Sequence, residues 1–133
     1  MNKYKLQNFI NKRRCTLLGI GPMSINCVDA TIELATEYNI PLFLIASRRQ
    51  IDSCELGGGY VNNWTTKEFA DYVIDKDKKG NVLLSRDHGG PWQNTRESDA
   101  HLSLNRAMES AKNSFLEDIK SKLKNQKKLF NFS

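Results

Sequence analysis

The sequence has no Cys-x-x-Cys pair. Cys15, Cys27 and Cys54 stand far apart and are odd in number, which argues against a disulfide frame or zinc ribbon and for reduced thiols in a cytoplasmic protein. No apolar run approaches the ~20 residues needed to cross a bilayer. The polar, basic start from Met1 to Arg14 lacks the apolar stretch of a signal peptide, so no membrane partner is expected. Histidine is scarce, with two in the chain, and a single metal-capable histidine cannot complete a three-ligand zinc site. No Gly-Lys-Ser/Thr follows the glycines at 57–59, which excludes a P-loop. Repeats and low-complexity segments are absent beyond an alternation of strand and helix patterns.

What is present is enough for one domain: 133 residues, 39 % hydrophobic and 26 % charged, in the range of soluble globular chains. The net charge of +5 is unevenly spread. Residues 1–14 carry Lys3, Lys5, Lys12, Arg13 and Arg14 without an acid. Residues 119–133 carry Lys120, Lys122, Lys124, Lys127 and Lys128, again without one. The stretch between holds all the acids and is net negative, so the basic ends read as solvated segments and no specific nucleic-acid partner is expected.

Between the ends, short apolar runs alternate with amphipathic stretches. Thr16–Ile20, Leu42–Ala46 and Val82–Leu84 are strand candidates. They are apolar throughout, which implies a parallel sheet buried on both faces. Asn26–Asn39 sets Val28, Ile32 and Ala35 on one helical stripe, with Asn26 as N-cap. Thr65 and Glu68 form a capping box, with Trp64 and Phe69 placed as a hydrophobic staple, for a helix to about Asp75. A last helix from about Ser103 carries Leu104, Met108, Ala111, Phe115 and Ile119 as its apolar stripe. The β-α-β-α-β-α order predicts an α/β fold with right-handed crossovers.

In such folds ligands sit beyond the carboxyl ends of the strands. The segments leaving those ends are Gly21–Ser24, Ser47–Asn63 and Ser85 to about Leu102, and the last two are long enough to suggest a task. Asp87-His88 follows the third strand and fits a proton donor beside a metal ligand, or a turn. Gly89 and Gly90 would let a ligand approach the backbone. Gly57–Tyr60 fits an anion-cradling nest, or a flexible loop tip. Arg48 and Arg49 suit bidentate phosphate contacts, or ion pairs with Asp52 and Glu55. Gly19-Ile20-Gly21-Pro22-Met23-Ser24 gives an alternative: an incomplete dinucleotide fingerprint in an NADP-binding, Rossmann-like domain, with Arg48 and Arg49 at the 2′-phosphate.

Ala46-Ser47-Arg48-Arg49-Gln50-Ile51, Gly58-Gly59-Tyr60, Phe69-Ala70-Asp71-Tyr72-Val73 and Arg86-Asp87-His88-Gly89-Gly90-Pro91 together resemble the non-catalytic (accessory) subunit of class II D-tagatose-bisphosphate aldolases, over about residues 16–120. The resemblance implies a (β/α) TIM-type barrel of which about the first three βα units are present. It implies cleavage of tagatose 1,6-bisphosphate to two triose phosphates, a carbon–carbon lyase reaction, alongside a separate catalytic aldolase subunit. In zinc-dependent members the third strand ends in His-x-Asp-His, where Asp is proton donor and the last His a zinc ligand. Asp87 and His88 match those two positions, and Ser85 replaces the first histidine. His88 is thus the implied metal ligand, with zinc expected only in a complete barrel or in the catalytic partner, and no cofactor in this chain alone. Arg48, Gln50, Gly58, Gly59, Tyr60, Gly89 and Gly90 are the expected sugar-phosphate contacts.

The expected organisation is a basic segment over residues 1–15, a partial barrel over 16–123 and a basic tail over 124–133 produced by truncation. A parallel edge left open after the third strand would alternatively be closed by another copy or chain. A non-enzymatic scaffold or remnant is the remaining alternative.

Overall fold

A computed structural model describes the backbone of residues 3–13 and 16–129, with side chains at 6–13 and 16–121. Cys15, Arg14, the last four residues and the side chains of Lys122, Lys124, Lys127 and Lys128 lie outside the described residues. Helix α1 (Lys3–Arg13) precedes strand β1 (Gly19–Ile20), helix α2 (Ile25–Glu37) and strand β2 (Leu42–Ala46). Helix α3 (Thr66–Lys76), strand β3 (Val82–Arg86), the short helix α4 (Thr95–Asp99) and helix α5 (Leu104–Leu129) complete the order. The strands form one parallel sheet in the order β1-β2-β3, with Gly19 opposite Phe43 and Leu42 opposite Val82. This is an open, mixed α/β arrangement.

Local chemistry explains most boundaries. Ser24, not Asn26, caps α2: its side chain accepts from Cys27 N at 3.2 Å. The Thr65–Glu68 capping box is present, with Glu68 accepting from Thr65 N at 2.9 Å and Glu68 N donating to Thr65 Oγ1 at 3.2 Å. Such a cap contributes about 1 kcal/mol. Trp64 and Phe69 meet with ring centroids 5.7 Å apart, as a staple requires. β3 runs two residues further than its apolar stretch, through Ser85 and Arg86, because β2 offers a full row of parallel partners as far as Ala46.

Two expectations about burial fail. Leu42, Leu44 and Ala46 join Val28, Ile32, Phe69 and Val73 in the core, whereas the alternate residues Phe43 and Ile45 stay half-buried. Among the described residues the helices therefore cover one sheet face fully, and the strands are apolar on both. On α5 the expected core stripe is rotated. Ala107, Ala111, Ser114 and Ser121 are buried, while Leu104, Met108, Phe115 and Ile119 stand outward. Small residues let α5 approach α3 closely, and the bulky stripe is left largely exposed, with Phe115 resting on Gly89.

Asp29 on α2 ties the helix layer together, accepting from Lys76 Nζ at 2.8 Å and Tyr72 Oη at 2.7 Å. The Lys76 hydrogen bond, with Tyr72 adding and partial burial opposing, holds the Asp29 carboxyl below its ordinary range, and Lys76 is pushed up to about 12. A carboxyl lowered on folding adds stability above its unfolded value and loses it as pH falls through its folded value. Asp29→Asn is therefore expected to melt below the wild type at neutral pH, with the gap closing below about pH 4. Thermal unfolding followed across that range measures it.

Candidate functional site

The carboxyl ends of the three strands carry two groups of side chains, and Arg48 joins them from below. The first group forms around the end of β2. Gln50 is buried, its Oε1 accepting from Ser47 N at 2.8 Å and its Nε2 resting 3.0 Å from Met23 Sδ. The glycine loop lies along it: Tyr60 N donates to Arg49 O at 2.9 Å and Val61 N to Gln50 O at 3.2 Å. This pairing explains Gly59, where a Cβ would stand 2.0 Å from Gln50 O. Gly58 serves a different need, with φ of 74° and the Asn63 carbonyl where a side chain would go. Tyr60 is exposed and its hydroxyl lies 3.6 Å from Met23 Sδ. Met23 itself had no signal in the sequence beyond its place in the turn after β1.

The second group is Asp87-His88, directly after β3. Asp87 N still pairs with Ala46 O at 2.9 Å, so the sheet aims the pair. His88 Nδ1 lies 2.7 Å from Asp87 Oδ2, and His88 N donates to Asp87 Oδ1 at 2.9 Å. A carboxylate at that distance accepts a hydrogen bond from Nδ1–H, and in the neutral tautomer that this favours Nε2 is the acceptor. Both side chains are more than half exposed. His88 sits at φ 47°, a strained value for histidine that the Asp87 contacts support. Gly89 is required by Phe115, whose ring a Cβ would meet at 2.2 Å; Gly90 has open space around it.

Arg48 is not where a phosphate ligand should be. It is fully buried, and its five N–H groups are all engaged. Nε donates to Asp52 Oδ2 at 3.1 Å, Nη1 to Gly90 O at 2.9 Å and to Glu97 Oε2 at 3.2 Å, and Nη2 to Glu97 Oε1 and to Ser110 Oγ. Asp52 is satisfied in turn by Asn94, Ser114 and Ser53 N. Arg48 thus pins the Gly89–Gly90 loop and α4 to the end of β2. The pairing with Asp52 was legible as i, i+4 charges; that with Glu97 was not. The segment expected as one long loop contains α4, whose Asn94-x-x-Glu97 start is itself a capping signal. Arg49, in contrast, is exposed and among the described residues has no side-chain partner. A second arginine, Arg86, is held bidentately by Asp118 at 2.6 and 2.8 Å. The nucleotide reading loses one of its two phosphate arginines, and buried Pro22 stiffens the turn where a third close approach would be needed.

Among the described residues no three His, Cys, Asp or Glu side chains converge as a metal site, and no helix is long and apolar enough to cross a membrane. No family model and no curated protein matches the chain. Among solved structures the chain is similar to a probable tagatose 6 phosphate kinase from Sinorhizobium meliloti 1021, at 21 % identity and a TM-score of 0.62. The match covers 80 % of this chain and 27 % of that one. At that identity the likeness establishes the fold alone, and this chain spans about a quarter of the neighbour.

Proposed function

We propose that the chain is a three-unit piece of a (β/α) barrel that receives a phosphorylated ketose at its strand ends, as an accessory segment of a tagatose-1,6-bisphosphate aldolase. The observation that carries this reading is the Asp87–His88 pair, presented in the open at the end of β3 on the face that also bears Arg49 and Tyr60. Parallel α/β folds place their ligands on that face. The solved neighbour is described as acting on a phosphorylated tagatose, and this supports the same substrate class. The sugar's phosphate would meet Arg49, which is exposed and uncommitted, and not Arg48. His88 Nε2 would accept a hydrogen bond from a sugar hydroxyl, with Asp87 holding the ring and its tautomer. Gln50, Gly58 and Gly59 shape the loops that carry these groups. Zinc does not fit the described residues, since no third His, Cys, Asp or Glu side chain joins Asp87 and His88. No step is routed through a metal, and bond cleavage falls to a separate catalytic subunit.

Titration calorimetry with D-tagatose 1,6-bisphosphate, free tagatose and inorganic phosphate tests the reading. The bisphosphate is expected to bind saturably and free tagatose far more weakly. Loss of one charge-assisted contact in Arg49→Ala should weaken binding about tenfold or more, and His88→Ala should weaken it as well. No triose phosphate should form with this chain alone. Saturable binding of NADPH in place of the sugar phosphate would sink the proposal.

A further inference from the structure

We propose that the thioether of Met23 is a stopper for a ligand oxygen. It holds the place, between the Gln50 amide and the Tyr60 hydroxyl, that a hydroxyl or carbonyl oxygen of the sugar takes on binding. The inference rests on the sugar-phosphate reading above and adds a gate to that site. It starts from Gln50, which is 8 % exposed and whose amide can be oriented in one way alone. Oε1 accepts from Ser47 N at 2.8 Å, so Nε2 must face the turn after β1. There its partner is Met23 Sδ at 3.0 Å. The Tyr60 hydroxyl reaches the same sulfur from the glycine loop, at 3.6 Å.

A thioether is a weak acceptor, and here two good donors share one. A buried amide N–H with so soft a partner gains by exchanging it for an oxygen. The backbone around the three side chains is pinned. Gly21 O accepts from Met23 N at 2.9 Å, Pro22 is buried, and Ser24 caps α2. Tyr60 N donates to Arg49 O at 2.9 Å. The stopper is not pinned: Met23 is 61 % exposed, and its side chain turns about three single bonds. Rotation about those bonds frees both donors with no movement of the fold. Gly21 keeps the approach open, since a Cβ there would stand 3.3 Å from Gln50 Nε2 and 3.8 Å from Met23 Sδ.

The chemistry of the donor pair selects the occupant. Both donors are neutral, so they complement an uncharged hydroxyl or carbonyl oxygen, whereas a phosphate is matched by the charge of Arg49. Arg49 adjoins Gln50 in the chain and is paired with Tyr60 through the backbone, so one phosphorylated ketose would engage all three. Free phosphate would use Arg49 and leave Met23 in place. Sulfur and sugar oxygen compete for the same N–H and O–H. Met23 therefore lowers the apparent affinity by the fraction of molecules in which both donors are free.

Titration calorimetry with D-tagatose 1,6-bisphosphate and with inorganic phosphate, on the wild type, Met23→Ala and Tyr60→Phe, tests this. Met23 and Tyr60 are exposed, so neither variant puts the fold at stake. Met23→Ala is expected to bind the bisphosphate about threefold tighter or more, and Tyr60→Phe about fivefold more weakly. Affinity for inorganic phosphate should be the same in all three. Carbon-13 labelling of the methionine methyls supplies a second readout, with the Met23 signal assigned by its loss in Met23→Ala. That signal should move with the bisphosphate, saturating at the calorimetric Kd, and stay still with inorganic phosphate. A gain in affinity on removing a side chain is not a result that packing alone would give. If the wild type binds the bisphosphate but Met23→Ala binds it no tighter, or the Met23 signal stays still, the stopper is overturned and the sugar-phosphate reading stands. If neither the wild type nor Met23→Ala binds it, the sugar-phosphate reading falls and the stopper with it.

Discussion

Arg48→Ala is expected to lower the free energy of unfolding by about 3–5 kcal/mol, because it leaves buried carboxylates without their cation. Asp52 and Glu97 are 0 and 1 % exposed, and both meet Arg48 directly. Asp52 would keep its bonds from Asn94, Ser114 and Ser53 N, and Glu97 those from Trp92 N and Ser110. Neither set replaces a positive charge in a dry site. Urea denaturation measures the loss as a fall in the midpoint at unchanged slope. Arg48→Lys should recover little, since an ammonium cannot make five bonds in a planar fork. The result bears on function too. A variant within about 0.5 kcal/mol of wild type, the range of ordinary surface changes, would mean that Arg48 is not committed to the interior, and would return it to the phosphate.

Gly59→Ala is expected to be the most damaging of the glycine substitutions and to lose about 1–3 kcal/mol or more. Its Cβ would stand 2.0 Å from Gln50 O and 2.1 Å from Gln50 C, both backbone atoms that cannot swing aside. The φ of Gly59 is not positive, so the penalty is steric, and the loop must separate from the 49–50 segment to relieve it. That separation breaks the Tyr60–Arg49 and Val61–Gln50 hydrogen bonds and should therefore weaken sugar-phosphate binding along with stability. Gly90→Ala is the control, with nothing within 4 Å of its Cβ, and should change stability by no more than about 0.5 kcal/mol. Two glycines that look alike in the sequence are thus separated by denaturant midpoints.

The parts of the molecule legible in advance are those decided within a few residues. Thr65 and Glu68 satisfy each other's backbone donors across one turn, so the capping box could be read directly. Leu42–Ala46 is bounded by Pro41 on one side and polar residues on the other, and the strand has those limits. The Arg48–Asp52 pair is local as well. Glu97 is not: it reaches Arg48 across 49 positions, and nothing in either neighbourhood announces the other. The inward turn of Arg48 therefore stayed hidden.

Periodicity in α5 was correctly seen, but its four bulky members were assigned to the wrong side. Of the expected stripe Ala111 is buried, whereas Leu104, Met108, Phe115 and Ile119 are not; a helix has two lateral faces and hydropathy does not say which one its neighbour takes. Packing against α3 went to the small face because Asp118 must reach Arg86 and Thr66, and Ser114 must reach Asp52. Polar satisfaction outweighed bulk. The sequence by itself determined the succession β1, α2, β2, α3, β3, α5 and the parallel α/β class, though not α1 or α4, since these follow from local pattern, caps and turn chemistry. Only the tertiary structure decided which arginine is buried, which glycine is indispensable and which face of α5 remains open, because each depends on what a distant segment places against it.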